Sequence, residues 1–143
     1  MKKACFSLIA FALLLAPILA GQTPKPHASL AATIVRGKYL VESIGMCVDC
    51  HTPFSEKGEP IKAQWLKGAT LMFKPTVPMP GWADKSPNIA GLPGWEHDAA
   101  VKFLMTGLAY NDLPARPPMP QFRYSQRDAE AIVAYLRSLA PAK

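Results

Sequence analysis

Cys47-Val48-Asp49-Cys50-His51 constrains this chain more than any other segment. Two thiols three positions apart reach the two vinyl groups on one edge of a porphyrin, and the imidazole of the next residue turns beneath the macrocycle to bind iron. The motif therefore names a cofactor, haem c, and an iron ligand together. Two blander readings compete with it. A Cys-x-x-Cys pair is also half of a zinc site or a redox-active dithiol. Zinc needs a fourth ligand, for which the chain offers His27, His97 and scattered carboxylates but no second cysteine pair. A thioredoxin-like dithiol needs alternating strands and helices around it, and that pattern is missing.

The first twenty residues read as an export signal. Lys2 and Lys3 form a positive start, and Ala4 to Leu15 is an apolar run broken by Pro17 ahead of a cut expected between Ala20 and Gly21. Ile18 stands where a small residue is usual, and an uncleaved anchor is the alternative. Ala4 to Ala20 is short for a bilayer span, which needs about 20 apolar residues. Either way the folded part is expected in the periplasm. Cleavage removes Cys5 and leaves Cys47 and Cys50, so no thiol remains for a structural disulfide and a haem becomes the covalent staple. The 123 residues beyond the cut suit one domain with one core. Sixteen basic residues less Lys2 and Lys3 leave 14 against 10 acidic ones, a net +4. These charges are dispersed singly, as on a solvated surface, and nothing beyond the pI suggests nucleic-acid binding.

Residues 21–29 read as a flexible polar lead and 30–143 as the folded domain. Leu30, Ile34, Tyr39, Leu40 and Ile44 recur at helical spacing and run into the cysteine motif. Gly37 inside that helix costs about 1 kcal/mol relative to alanine, which suggests a close packing contact there. From Thr52 to Pro93 seven prolines interrupt every candidate run. Ala69 to Phe73 is a possible short strand with no evident partner. So long a loop normally counts against an element assignment, but a haem supplies an apolar body for loops to wrap. Trp95 to Gly107 reads as a middle helix. Ser125 is an N-cap with Asp128 three residues on, and Ala129, Ile132, Val133, Leu136 and Leu139 follow until Pro141 ends the last helix. The expected fold is small and all-α.

The sixth iron position decides between electron transfer and gas or peroxide chemistry. Met46 abuts the motif and cannot cross the ring, while Met72 and Met105 fit apolar packing. Met79 and Met119 both sit between prolines, whose rings stiffen the backbone around a thioether. Met119 lies 68 residues beyond His51, far enough for the chain to encircle a ring, and Met79 lies 28 residues beyond it. His97 is a weaker rival. Trp65, Phe73, Trp82, Trp95, Phe103 and Phe122 are candidates for an apolar surround, and a backbone carbonyl from Pro53 or Pro60 is expected to orient His51.

Arg36-Gly-Lys-Tyr-Leu-Val41, Gly45-Met-Cys-Val-Asp-Cys-His-Thr-Pro53, Ser86-Pro-Asn88, Gly94-Trp95, Pro117-Pro-Met-Pro120 and Ala134-Tyr-Leu-Arg-Ser-Leu139 together resemble a class I mono-haem cytochrome c. The nearest resemblance is to bacterial periplasmic cytochromes related to the cytochrome subunits of alcohol and gluconate dehydrogenases. The likeness covers most of the chain beyond the signal. It implies His51 and Met119 as axial ligands, thioethers at Cys47 and Cys50, and the first helix packed across the last, with Gly37 and Tyr39 meeting Tyr135 and Leu136. It also implies an electron carrier rather than an enzyme, working between a dehydrogenase donor and an oxidase or reductase acceptor. The chain departs from those subunits in having one haem motif instead of several and no expected membrane-binding tail. The alternatives are a haem sensor or peroxidase-like enzyme, with Arg116 and Arg123 beside Met119, and a fixed subunit of a dehydrogenase complex.

Overall fold

The computed structural model describes residues 29–140. The export segment, Cys5, His27, Pro141 and most of the polar lead lie outside the described residues. Ser29, the last residue of that lead, starts α1 (Leu30–Tyr39): its Oγ accepts the Ala32 N–H at 3.2 Å, pairing one of the amides a helix start leaves free. The helix then widens into a π turn, Leu40–Ile44, closed by the Gly45 N–H donating to Leu40 O at 2.7 Å. Met46 follows in the left-handed region with φ 46°, and the short helix α2 (Cys47–His51) carries the cysteine motif.

The expected apolar face of α1 is corrected by the structure. Gly37, Leu40 and Val41 are buried and Ile34 packs against the core, whereas Leu30, Tyr39 and Ile44 are exposed. The π turn adds a residue per turn and rotates Ile44 off the stripe that a uniform 3.6 period assigns it. Gly37, having no side chain, is invisible to a hydrophobic count yet marks the contact between α1 and α4.

That last helix, α4 (Gln126–Ser138), begins as the sequence indicates. Ser125 Oγ accepts the Asp128 N–H at 3.2 Å, and Ala129, Ala131, Ile132, Val133, Tyr135 and Leu136 are buried. α1 and α4 form the main interhelical contact, and α3 (His97–Thr106) also packs against α4. A Cβ on Gly37 would lie 1.9 Å from Ala131 O and 2.8 Å from Tyr135 Cβ, so only glycine permits this approach. Tyr39 is half-exposed, with the Arg36 guanidinium 5.9 Å from its ring centre. Tyr135 donates its hydroxyl to Glu42, linking α4 to the π turn. Burial first, and then this bond, push the Tyr135 hydroxyl pKa up to about 12.

Between α2 and α3 the chain is mostly loop, as the prolines require. Ala69–Thr70 (β1) is shorter than the strand expected and does have a partner, Lys85–Ser86 (β2), antiparallel with Ala69 opposite Ser86. Alternation past β1 leaves Met72 exposed, correcting its expected burial, whereas Met105 packs against the core. The loop core is Leu66, fully buried at φ 56°. Its N–H donates to Thr52 Oγ1 at 2.9 Å, and its carbonyl accepts from Ile89 and Ala90 at 2.9 and 3.0 Å. The described residues thus give the expected all-α fold with one small two-stranded ribbon. None of their helices is long and apolar enough to cross a membrane.

Candidate haem site

α2 sets the geometry of the motif. One turn of helix puts Cys47 and Cys50 on the same side, with His51 as the last helical residue. Both thiols are free and half-buried. A Cβ on Gly45 would come 2.7 Å from Tyr124 Oη and 3.3 Å from Cys47 Sγ, so a side chain there would have to displace the Tyr124 hydroxyl.

Three bonds from the proline-rich loop fasten the end of α2, where helical carbonyls lack partners. Ser86 Oγ donates to Cys50 O at 2.5 Å, and the Gly68 N–H donates to His51 O at 2.8 Å. His51 itself is buried, and its Nδ1 lies 2.8 Å from Pro87 O. A carbonyl only accepts, so Nδ1 carries the proton and Nε2 keeps its lone pair for a metal. The orienting carbonyl belongs to Pro87, which corrects the expectation of Pro53 or Pro60. Burial lowers the His51 pKa, partly opposed by the Pro87 bond, and so favours the neutral ring a ligand needs.

Ser86 ties three segments at once, since its Oγ also accepts the Ala69 N–H at 2.9 Å. Ser86→Ala leaves the Cys50 carbonyl and the Ala69 amide short of a partner. It is expected to lower stability to urea by about 1–3 kcal/mol, the usual effect of stranding part-buried polar groups. A change under about 0.5 kcal/mol would show the loop is held by other contacts.

The competing readings of the cysteines lose ground on this geometry. Burial pushes the Cys47 thiol up to about 11, and burial with the Asp49 charge raises Cys50 as well. A reactive dithiol needs an easily formed thiolate. Among the described residues no group of three His, Cys, Asp or Glu is placed to hold a metal ion. His97 is exposed in the first turn of α3, with Nδ1 3.0 Å from Asp98.

The two proline-framed methionines are brought into neighbouring turns. The Ala83 N–H donates to Pro117 O at 2.7 Å, the Trp82 N–H to Met79 O at 3.3 Å and the Met119 N–H to Arg116 O at 3.0 Å. Met119 is half-buried and Met79 is exposed. Both flanking arginines donate to backbone carbonyls. Arg116 donates to Gly81 O and Trp82 O at 2.9 and 2.7 Å, and Arg123 to Gln121 O and Phe122 O at 3.2 and 2.8 Å. These bonds carry no residue-type signature in the sequence.

The aromatic candidates pair off as Phe73 with Trp82, Trp95 with Phe103 and Phe122 with Tyr124, at ring separations of 5.8, 5.3 and 5.0 Å. Trp65 and Trp95 pack against the core. Trp82 adds a test of whether the site fits a haem. Its Nε1 is buried without a hydrogen-bond partner. A stranded donor of this kind costs about 1–3 kcal/mol, and a carboxylate on a bound group, such as a haem propionate, is the chemistry that satisfies it. Two thiols, one oriented imidazole with a free nitrogen and one orphaned donor together fit the group.

Comparison with known proteins agrees. Residues 34–140 match the family model for cytochrome c. The fructose dehydrogenase cytochrome subunit of Gluconobacter japonicus is 31% identical over 118 residues, covering 76% of this chain and 22% of that protein. The gluconate 2-dehydrogenase cytochrome c subunit of Pantoea cypripedii is 32% identical over 124 residues, covering 80% and 28%. A diheme cytochrome c-type protein of Cereibacter sphaeroides is 31% identical over 114 residues, covering 76% and 36%. The chain thus spans between about a fifth and somewhat over a third of the length of these relatives. With its haem-attachment motif at the start of an all-α domain matched from Ile34 to Ala140, the chain belongs to the cytochrome c family, whose class I fold carries electrons on the iron of a covalently held haem.

Proposed function

We propose that this protein is a periplasmic mono-haem electron carrier in which His51 and Met119 are the axial ligands and Cys47 and Cys50 form the thioethers. It is exported on residues 1–20, cut after Ala20, and works through the domain of residues 30–143. The observation that carries the reading is the His51 imidazole, buried and oriented by Pro87 O at 2.8 Å with Nε2 left free. The haem supplies a one-electron couple. The chain's own task is to let that change of charge occur with little rearrangement. His51 is held by a carbonyl that also enriches its electron density. Met119 offers a neutral thioether, which favours the reduced state relative to a second imidazole. Among the apolar candidates, Trp65, Trp82, Trp95, Phe103 and Phe122 are half-buried and Phe73 is exposed; those that cover the haem would disfavour the extra positive charge of the oxidised state in the same direction.

The relatives' names, cytochrome subunits of fructose and gluconate dehydrogenases, suggest a dehydrogenase as donor, with an oxidase or reductase as acceptor. The engagement of Arg116 and Arg123 with backbone carbonyls weighs against a peroxidase-like or sensing role, which needs a free cation or base at an open sixth position. Carbon monoxide is the test. The reduced protein at neutral pH is expected to bind it negligibly on mixing, because both axial positions are filled. Rapid, stoichiometric binding would overturn the carrier reading in favour of an open site.

A further inference from the structure

Arg116 begins the Arg-Pro-Pro-Met segment, and its side chain reaches across to another turn some 35 residues earlier. Its planar fork engages two successive carbonyls, Nε on Gly81 O at 2.9 Å and Nη2 on Trp82 O at 2.7 Å. The Ala83 N–H returns a third bond to Pro117 O at 2.7 Å. Arg123 offers a contrast in the same region, since its bonds end on Gln121 and Phe122, one or two residues away. Arg116 therefore joins two turns, while Arg123 only shapes its own.

We infer that Arg116 is a positioning residue for Met119, clamping the Met119 turn against the 79–83 turn and thereby setting how readily an outside ligand reaches the sixth iron position. This rests on Met119 being the axial ligand. A neutral thioether holds ferric iron weakly, so an outside ligand binds in proportion to the fraction of time the methionine turn is displaced. That fraction is set by local opening rather than by unfolding of the whole chain. Bonds to a second turn order the segment in advance and reduce the entropy lost each time the thioether returns. Lysine carries its three donors on one nitrogen and lacks the planar fork that meets two carbonyls in a fixed geometry.

Imidazole titration of the ferric holoprotein tests the clamp. Arg116→Gln is expected to bind imidazole about thirtyfold more tightly than the parent, the size that loss of two hydrogen bonds of ordinary net strength predicts. Arg116→Lys is expected to fall between the two, Arg123→Gln within about twofold of the parent, and the thermal midpoint of Arg116→Gln to stay within a few degrees. Exchange of the Ala83 amide proton should quicken alongside the gain in affinity. Parent-like imidazole affinity in Arg116→Gln, with the methionine-to-iron band lost in Met119→Ala, would overturn the clamp and leave the ligand in place. Retention of that band in Met119→Ala would overturn the ligand assignment, and the clamp with it. If Arg116→Gln fails to fold, Arg116→Lys decides: intermediate affinity supports the clamp and parent-like affinity overturns it.

Discussion

Met119→Ala is expected to abolish the methionine-to-iron charge-transfer band of the ferric protein. It should also lower the reduction potential by on the order of 0.2 V, a fraction of the roughly 0.8 V over which axial ligands tune haem iron. A thioether stabilises ferrous iron, and water or hydroxide in its place stabilises ferric iron. Met79 is the informative comparison, because its turn is bonded to the Met119 turn through Ala83 and Pro117. Met79→Ala should keep both the band and a potential within a few hundredths of a volt of the parent, a small part of that span. A spectrum unchanged by Met119→Ala but lost in Met79→Ala would transfer the ligand to the earlier turn. A spectrum unchanged by either would remove methionine from the sixth position.

Gly37→Ala is expected to lower stability to urea by about 3 kcal/mol, although alanine is worth about 1 kcal/mol more than glycine inside a helix. The new Cβ would lie 1.9 Å from Ala131 O and 2.6 Å from Ala131 C, both backbone atoms of α4 that cannot swing aside. α1 must then withdraw from α4, and the strain passes through the π turn to the start of the Cys47 motif. Haem incorporation during expression should fall alongside stability. Val35→Ala, on the exposed side of the same helix, serves as a control expected within about 0.5 kcal/mol of the parent. A Gly37→Ala loss below 1 kcal/mol would show that the two helices separate without penalty.

Much of the frame was legible in the residues. Ser125 with Asp128 announced α4, and the stripe from Ala129 to Leu136 was buried as its period indicates. Gly37 was legible for its cost, since a glycine inside a helix asks for a reason. Other features left no mark that a local reading detects. The π turn at Leu40–Ile44 breaks the uniform period, which by itself places Ile44 on the buried face although it is exposed. β2 is two residues long and carries Lys and Ser rather than a strand-like pattern. The Pro87 carbonyl is the sharpest case, because every residue has a backbone carbonyl and nothing in a side chain says which one will meet an imidazole 36 positions away.

The sequence by itself determined the covalent chemistry. Two thiols and an imidazole at fixed spacing are held by one turn of backbone, so their relation needs no tertiary contact. It also determined the start of α4, where the Ser125 hydroxyl caps an amide three residues on; the middle helix, expected from Trp95, begins only at His97. Only the tertiary structure decided which carbonyl orients His51, which hydroxyl and amide fasten the end of α2, and which turn Arg116 grips. Those are contacts between segments far apart in the chain, made where loops without regular hydrogen bonding must satisfy their polar groups by meeting one another.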